Sequence, residues 1–323
     1  MRSNTLGKLL DIVITHWTEP WEIGANAFRM LSVQRRVNWD KVGVSIIHDG
    51  SDAFPDENFY GFPFRVKQYC IPHGGISAAR NYAIEHCDAE WIKFCDFDDM
   101  FAGAYSLSCI IDAVSFADGY DLLWFPMIVD VFGGGLDIKD GSPVFIHDKV
   151  FRLSFLRNNN VMFNPDLTYS EDFAFISLTK LKMDRNRVGK IESNFPLYVF
   201  VQREDSVSNC PSNWFANRIC HFNALRYVEE IVRDQGEKRE ADAMVVRVMV
   251  ECYYTITNFK AHESVNEFTL HVWDYFDSHK NDFYAVSSDD IKYIISYTNQ
   301  QYQSDITKAE FMRWIHTHET GGR

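Results

Sequence analysis

No two cysteines are spaced Cys-x-x-Cys, no apolar run approaches the length of a membrane span, and basic residues are outnumbered. The seven cysteines (Cys70, Cys87, Cys95, Cys109, Cys210, Cys220 and Cys252) are odd in number and irregularly placed. That pattern excludes the usual zinc ribbons and a disulfide framework, and reads as reduced, mostly buried thiols in a cytosolic protein. The longest apolar stretch, "LLWFPMIV" at 122–129, falls far short of the roughly 20 residues a helix needs to cross a bilayer. Near the start, "MRSNTLGKLLDIVITHW" has a short apolar run, but Asp11 interrupts it and no small-residue cleavage site follows, so it does not read as a signal peptide. The expectation is a soluble, cytoplasmic protein, with a peripheral seat on a membrane left open. The net charge of −13 argues against broad nucleic-acid binding, which rests on a basic face, though not against a local basic groove. Low-complexity tracts and internal repeats are missing as well.

What the sequence does have is a globular composition, 46% hydrophobic and 15% aromatic, over 323 residues, enough for one large domain or a domain with an appendage. Strand-like and helix-like segments alternate. "DIVITHW" (11–17), "KVGVSIIHDGSD" (41–52), "EWIKFCDFDD" (90–99) and "DLLWFPMIVDVF" (121–132) read as strands. Between them, "GANAFRMLSVQRR" (24–36), "GISAARNYAIEHC" (75–87) and "SLSCIIDAVSFA" (106–117) have helical spacing. This order calls for an α/β fold with a mostly parallel, doubly wound, Rossmann-like sheet. From about 213 onward four segments in succession have helical spacing, which predicts a C-terminal helical region. The expected division is 1–212 and 213–323.

In open α/β sheets ligands bind beyond the carboxyl ends of the strands. Three expected strands end in polar groups there: Thr15-His16-Trp17, His48-Asp49, and Asp96 to Asp99. Asp96 and Asp98, alternate residues of an extended segment, share a face, and two facing carboxylates repel unless a cation lies between them. A solvated acidic turn with Asp99 capping the next helix is the plainer reading. Asp49-Gly50 is ordinary turn chemistry or a base-contacting carboxylate. In "GGISAARN", Arg80 is either a surface arginine or one aimed at a nucleotide. In "FNPDLTYSEDFAFISL" (163–178), Glu171 and Asp172 either form the acidic first turn of a helix or supply a general base, Asp172, with Glu171 in support. In "FVQREDSVSN" (200–209), Arg203, Ser206 and Ser208 form a polar loop or contact phosphate. His16, His48, His73 and His147 lie near these motifs and read as hydrogen-bonding or packing residues.

Taken in order, the five segments resemble the family 2 inverting glycosyltransferases of the GT-A fold. The matching stretches are "DIVITHWTEPWEIGANAFRMLSVQ", "HDGSD", "GGISAARN", "DFDD" and "HDKVFRLSFLRNNNVMFNPDLTYSEDFAF", within about residues 10–210. Trp17-Thr18 stand where the family more often has Tyr-Asn, and His48 where it often has Asp. The resemblance implies a sugar transferase, hexosyl or related, using a nucleotide-sugar donor, with a UDP-sugar favoured, and an acceptor hydroxyl on a glycan or other molecule. Thr15, Trp17, Asp49 and Arg80 are then implied to hold the nucleobase and Asp96 the ribose or a metal-bound water. Asp98 is implied to ligate Mn²⁺ or Mg²⁺, and Asp172 to deprotonate the acceptor. Two other classes compete. A nucleotidyltransferase needs a glycine-rich basic loop after the first strand, and "THWTEPWEIGAN" has no glycine cluster and no basic residue. A catalytically inactive sugar-nucleotide or glycan binder has no need of both Asp98 and Asp172.

Overall fold

The computed structural model describes residues 7–131, 134–203 and 210–321. The chain divides into two compact units, Met1–Asn209 and Cys210–Arg323. In the first, the elements run β1 (Lys8–His16), α1 (Trp21–Ser32), β2 (Val42–Asp49), β3 (Val66–Ile71), α2 (Gly75–His86), β4 (Ala89–Asp96), β5 (Met100–Phe101) and α3 (Ser106–Ser115). They continue β6 (Leu122–Trp124), β7 (Met127–Asp130), β8 (Leu136–Lys139), β9 (Lys149–Arg152), α4 (Leu153–Asn158), α5 (Glu171–Lys182), β10 (Val188–Lys190) and β11 (Tyr198–Val201).

Seven strands form the main sheet in the order β10-β6-β9-β4-β1-β2-β3. All neighbours are parallel except β9, which runs antiparallel to both β4 and β6. This is the mostly parallel α/β sheet that the alternating segments predict. Its central strands are apolar on both faces because helices cover both. On one face Ile12, Ile14, Phe28, Trp91, Leu107 and Phe125 share a core. On the other Phe94 packs on Phe163 and Phe175, whose rings stack 3.9 Å apart. Burying each such ring contributes roughly 1.5–3 kcal/mol.

The expected strand 121–132 is in fact two. Phe125-Pro126 separates β6, in the main sheet, from β7, in a second sheet of order β5-β11-β7-β8. Proline has no N–H to give to a ladder, so the chain leaves the first sheet there and starts the other. The short strands β3, β5 and β8 to β11 have too few alternating residues to stand out in the sequence.

The second unit consists of α6 (Trp214–Asp234), α7 (Lys238–Asn258), α8 (Val265–Ala285), α9 (Ser288–Tyr302) and α10 (Lys308–Glu319). Helix α8 is additional to the four segments read from the sequence. Ser287 caps α9, and Thr307 with Glu310 forms a capping box on α10. No described helix is long and apolar enough to cross a membrane. At the centre of this unit Glu251, on α7 and almost fully buried, accepts hydrogen bonds from His221 Nε2 (2.9 Å), Arg247 Nε (2.9 Å) and Tyr302 Oη (2.7 Å). Arg218 Nη2 lies 3.6 Å away and its guanidinium sits over the Tyr302 ring. Burial disfavours the Glu251 carboxylate, but His221, Arg247 and Arg218 outweigh it and hold the group well below the usual range.

Replacing Glu251 by Ala strands several buried donors, and stability should fall by about 3–5 kcal/mol in urea unfolding. Because the folded-state pKa is depressed, this contribution is present above the ordinary carboxylate range and is lost as pH falls below it. Unchanged unfolding of the variant at neutral pH contradicts this role.

Candidate active site

Strand register gathers the candidate groups. Thr15 lies opposite Asp96 across β1 and β4, and His16 lies opposite His48 across β1 and β2. These strand ends therefore open on one crevice, where open α/β sheets bind ligands.

The acidic segment is not extended throughout. The chain turns directly after Asp96, with the Asp99 N–H donating to the Asp96 carbonyl at 3.2 Å. Phe97 is driven into the core against Gly24, where an added Cβ would stand 2.3 Å from the ring. The turn ends the extended geometry on which the same-face reading of Asp96 and Asp98 rests, although the two charges still act on each other. Asp98 instead meets Arg203, Nε to Oδ2, at 2.9 Å. Buried Asp99 accepts from the Val201 N–H at 2.8 Å, tying the turn to β11. Ligating atoms of Asp96, Asp99 and His147 converge within 4.8 Å of one another. Ser206 and Ser208, grouped with Arg203 in the sequence, lie outside the described residues.

Arg80 on α2 is the hub. Its side chain is 1% exposed. Nη1 donates to Glu171 Oε1 at 2.9 Å and to Asp172 Oδ1 at 2.7 Å, while Nη2 donates to Asp96 Oδ1 at 3.0 Å. The sequence suggested an arginine reaching toward a nucleobase. Packing of α2 turns it inward, and three carboxylates occupy its terminal nitrogens. The Phe163 ring lies beneath it, 5.3 Å from Cζ. Asn81, the next residue, grips the Phe163 backbone through two 2.8 Å hydrogen bonds. Adjacent residues of α2 thus hold the segment leading to Glu171 and Asp172. That pair opens α5, directly after Ser170 in the left-handed conformation, and the helix N-terminus favours its negative charge.

Asp49 has a similar inward role. Its carboxylate accepts from the Gly74 and Gly75 N–H groups at 2.7 and 2.9 Å and from His73 Nδ1 at 2.9 Å. The turn depends on Gly50, whose φ is +79° and whose missing Cβ would lie 2.6 Å from His73 Cβ. Trp17 is 52% exposed and stacks on His73, with ring centroids 5.4 Å apart, so it offers a flat surface at the mouth of the crevice. Thr15 sits at the floor, its hydroxyl 3.5 Å from Asp96.

The charges are interdependent. Burial opposes ionisation of Asp96, but His147 and Arg80 prevail and hold it below the usual carboxylate range. His147 donates to Asp96 from Nε2 at 3.0 Å. Burial opposes its charge too, yet Asp96 pushes its pKa up to about 8. Burial and the nearby Asp96 charge push Asp98 up to about 6 despite Arg203. Burial and Asp172 push Glu171 up to about 7 against Arg80. Asp99 is raised well above the usual range, chiefly by burial, and its Oδ2 is a buried oxygen without a hydrogen-bond partner among the described residues.

The sequence reads His147 as a hydrogen-bonding or packing residue, and it does both, though nothing in its spacing marks it as part of the site. It enters the site because β9 runs antiparallel beside β4. Its ring lies between the strands of the two sheets, facing Tyr198 and Phe200 of β11.

The mostly parallel seven-stranded sheet and the C-terminal helical region form a GT-A-like α/β fold. Comparison with known protein families and with curated proteins gives no match. Among solved structures, the fold is similar to that of S. aureus TarS. The TarS 1–349 structure in complex with UDP-GlcNAc gives a TM-score of 0.60 at 17% identity, covering 93% of this chain and 95% of that one. Its UDP complex gives 0.51 at 16% identity, covering 93% and 94%. Against a longer TarS chain the TM-score is 0.55 at 17% identity over 75% of this chain, and the match spans 43% of that chain's length.

Replacing Arg80 by Met leaves three partly buried carboxylates facing one another without their common cation. Stability should fall by about 3–5 kcal/mol in denaturant titration, with Arg80→Lys losing less because one charge remains. Equal stability of both variants and the parent removes Arg80 as the hub.

Proposed function

We propose that the chain is an inverting glycosyltransferase that moves a sugar from a nucleotide-sugar donor, a UDP-sugar foremost, to an acceptor hydroxyl. The observation that carries this reading is the joining of Asp96, at a strand end, to the Glu171-Asp172 pair through one buried arginine. The likeness of fold to TarS, solved with UDP-GlcNAc and with UDP, supports the choice of donor. Transferase chemistry is assigned to residues 1–212, with an acceptor glycan or another hydroxyl-bearing molecule as partner.

In this reading Trp17 gives the nucleobase a stacking face, and Thr15 lines the floor. Asp49 shapes the same edge by holding Gly74, Gly75 and His73 in place. Asp172 takes the acceptor's proton as the oxygen attacks the anomeric carbon, typically a 10²–10⁴-fold effect. Arg80 is a positioning residue that fixes the direction of Asp172, and Glu171 shares its charge. Attack opposite the leaving nucleoside diphosphate inverts the anomeric centre.

The residues fit a divalent ion. Among the described residues Asp99 has a buried oxygen without a partner, and the raised Asp98 pKa marks a carboxylate that a cation would favour. Mn²⁺ or Mg²⁺ would be held by Asp98, or by Asp96, Asp99 and His147, whose ligating atoms lie within 4.8 Å of one another. A bound ion would stabilise negative charge on the departing diphosphate. Arg203, already paired with Asp98, brings a second cation to the same edge.

A donor screen reading released UDP or GDP, with and without Mn²⁺, tests the reading. UDP release from a UDP-sugar is expected. Asp98→Asn should lower turnover at least about a hundredfold, and full activity in excess EDTA removes the metal from the proposal. Asp172→Asn should lower transfer by about 10²-fold or more while UDP affinity in calorimetry changes little. Near-normal transfer by that variant removes Asp172 as the base, and no nucleotide release from any donor contradicts the function itself.

A further inference from the structure

His16 and His48, which the proposed chemistry does not use, meet edge to face at the ends of β1 and β2, buried beside the crevice. Their Nδ1 atoms are 2.9 Å apart. The outer nitrogens decide how many protons the pair carries. His16 Nε2 lies 2.8 Å from the Glu19 carbonyl, which can only accept, so this nitrogen is protonated. His48 Nε2 lies 3.0 Å from Gln68 Oε1. The Gln68 amide cannot be turned around without cost, because Oε1 accepts from the Phe54 N–H at 2.8 Å and Nε2 donates to the Phe54 carbonyl at 2.9 Å. His48 Nε2 must therefore donate as well. Flipping either ring puts carbon against these acceptors.

Two neutral rings protonated at Nε2 present lone pairs to each other across 2.9 Å. Ser51 Oγ, 3.1 Å from His16 Nδ1, can donate to one ring but does not remove that conflict. One added proton between the two Nδ1 atoms does.

We propose that His16 and His48 share a single proton as an imidazolium–imidazole pair, and that this pair positions the two loops bordering the nucleotide. The proposal rests on the nucleotide-sugar reading of the crevice. Through Glu19 the pair holds loop 17–20, which carries Trp17. Through Ser51 and Gln68 it holds loop 50–54, which follows Asp49. The rings of Phe54 and Phe97, with centroids 4.6 and 4.7 Å from that of His16, cover it. The nearby ionisable groups are Glu19 on loop 17–20, Asp52 on loop 50–54, Asp49 on β2, and Asp96 and Asp98 on the turn after β4. Asp49 is bonded to the start of α2, Asp96 to Arg80 and His147, and Asp98 to Arg203. Burial above all, and then the His16 charge, lower the His48 pKa against the Gln68 hydrogen bond and Asp52, which raise it, so a second proton on the pair is disfavoured.

The first test is ¹⁵N-histidine NMR of the unliganded full chain at neutral pH. Both Nε2 atoms should be protonated, with one labile proton between the two Nδ1 atoms. Two independent titrations, or an Nε2 without its proton, overturn the pair. The second is UDP calorimetry with Mg²⁺ between about pH 6 and 9. Affinity should weaken by about tenfold per pH unit once the pair loses its proton, a component absent in His48→Asn. A pH profile identical in that variant overturns the positioning role even where the spectrum shows the shared proton. Failure of UDP to bind at any pH overturns the nucleotide reading and the positioning role with it. The spectrum, which needs no ligand, then still decides the proton pair.

Discussion

A single buried guanidinium, that of Arg80, joins what the chain keeps far apart. Asp96 ends a central strand, and Glu171 and Asp172 begin a helix some 75 residues later; Arg80 donates to all three. Burying that much charge is costly unless the partners balance, and here they do so through protons. Glu171, with a pKa near 7, gives up part of its negative charge, while His147, with a pKa near 8, supplies positive charge to Asp96. The carboxylates are thus held close together without being fully charged at once. In the proposed transferase, a rigid link between Asp96 and the Glu171-Asp172 pair suits a reaction in which proton removal and bond formation occur together.

The second sheet completes the enclosure. Pro126 directs the chain out of the main sheet, and β11 returns beside the acidic turn. Its Val201 N–H holds Asp99, Arg203 just beyond it pairs with Asp98, and Tyr198 and Phe200 pack on His147. On the opposite edge, Asp49 anchors the start of α2, so the same helix that carries Arg80 is fixed at its first turn by the strand end it adjoins. Each acidic group of the crevice is therefore also a structural fastening.

The sequence made the broad sheet legible because long β-branched runs that stop at polar residues are strands covered on both faces. It revealed the gathering of Thr15, His48, Asp49 and Asp96 for the same reason, since parallel strands present their carboxyl ends together. It did not reveal the direction of Arg80. A helical side chain's target depends on how the helix packs, and α2 leaves no local sign that its arginine points inward. The turn after Asp96 was one of the two readings that "DFDD" allows, and the sequence could not choose between them because the choice goes with the packing of Phe97 against Gly24, a contact distant in sequence. The strand β9, and with it the place of His147 beside Asp96, was missed because an antiparallel strand inserted between β4 and β6 is a property of topology, with no periodic trace in four residues. The inner helix α8 has mixed polar and aromatic character and no strong cap to mark its start.

On the proposed reading, a nucleotide sugar binds in the crevice at the ends of β1, β2 and β4. Hydrogen–deuterium exchange of the full chain with and without UDP-GlcNAc and Mn²⁺ tests it most directly. The account predicts slowed exchange in residues 15–20, 48–54 and 96–101. Unchanged exchange in all three segments under saturating ligand, or protection confined to the helices after residue 213, would contradict it.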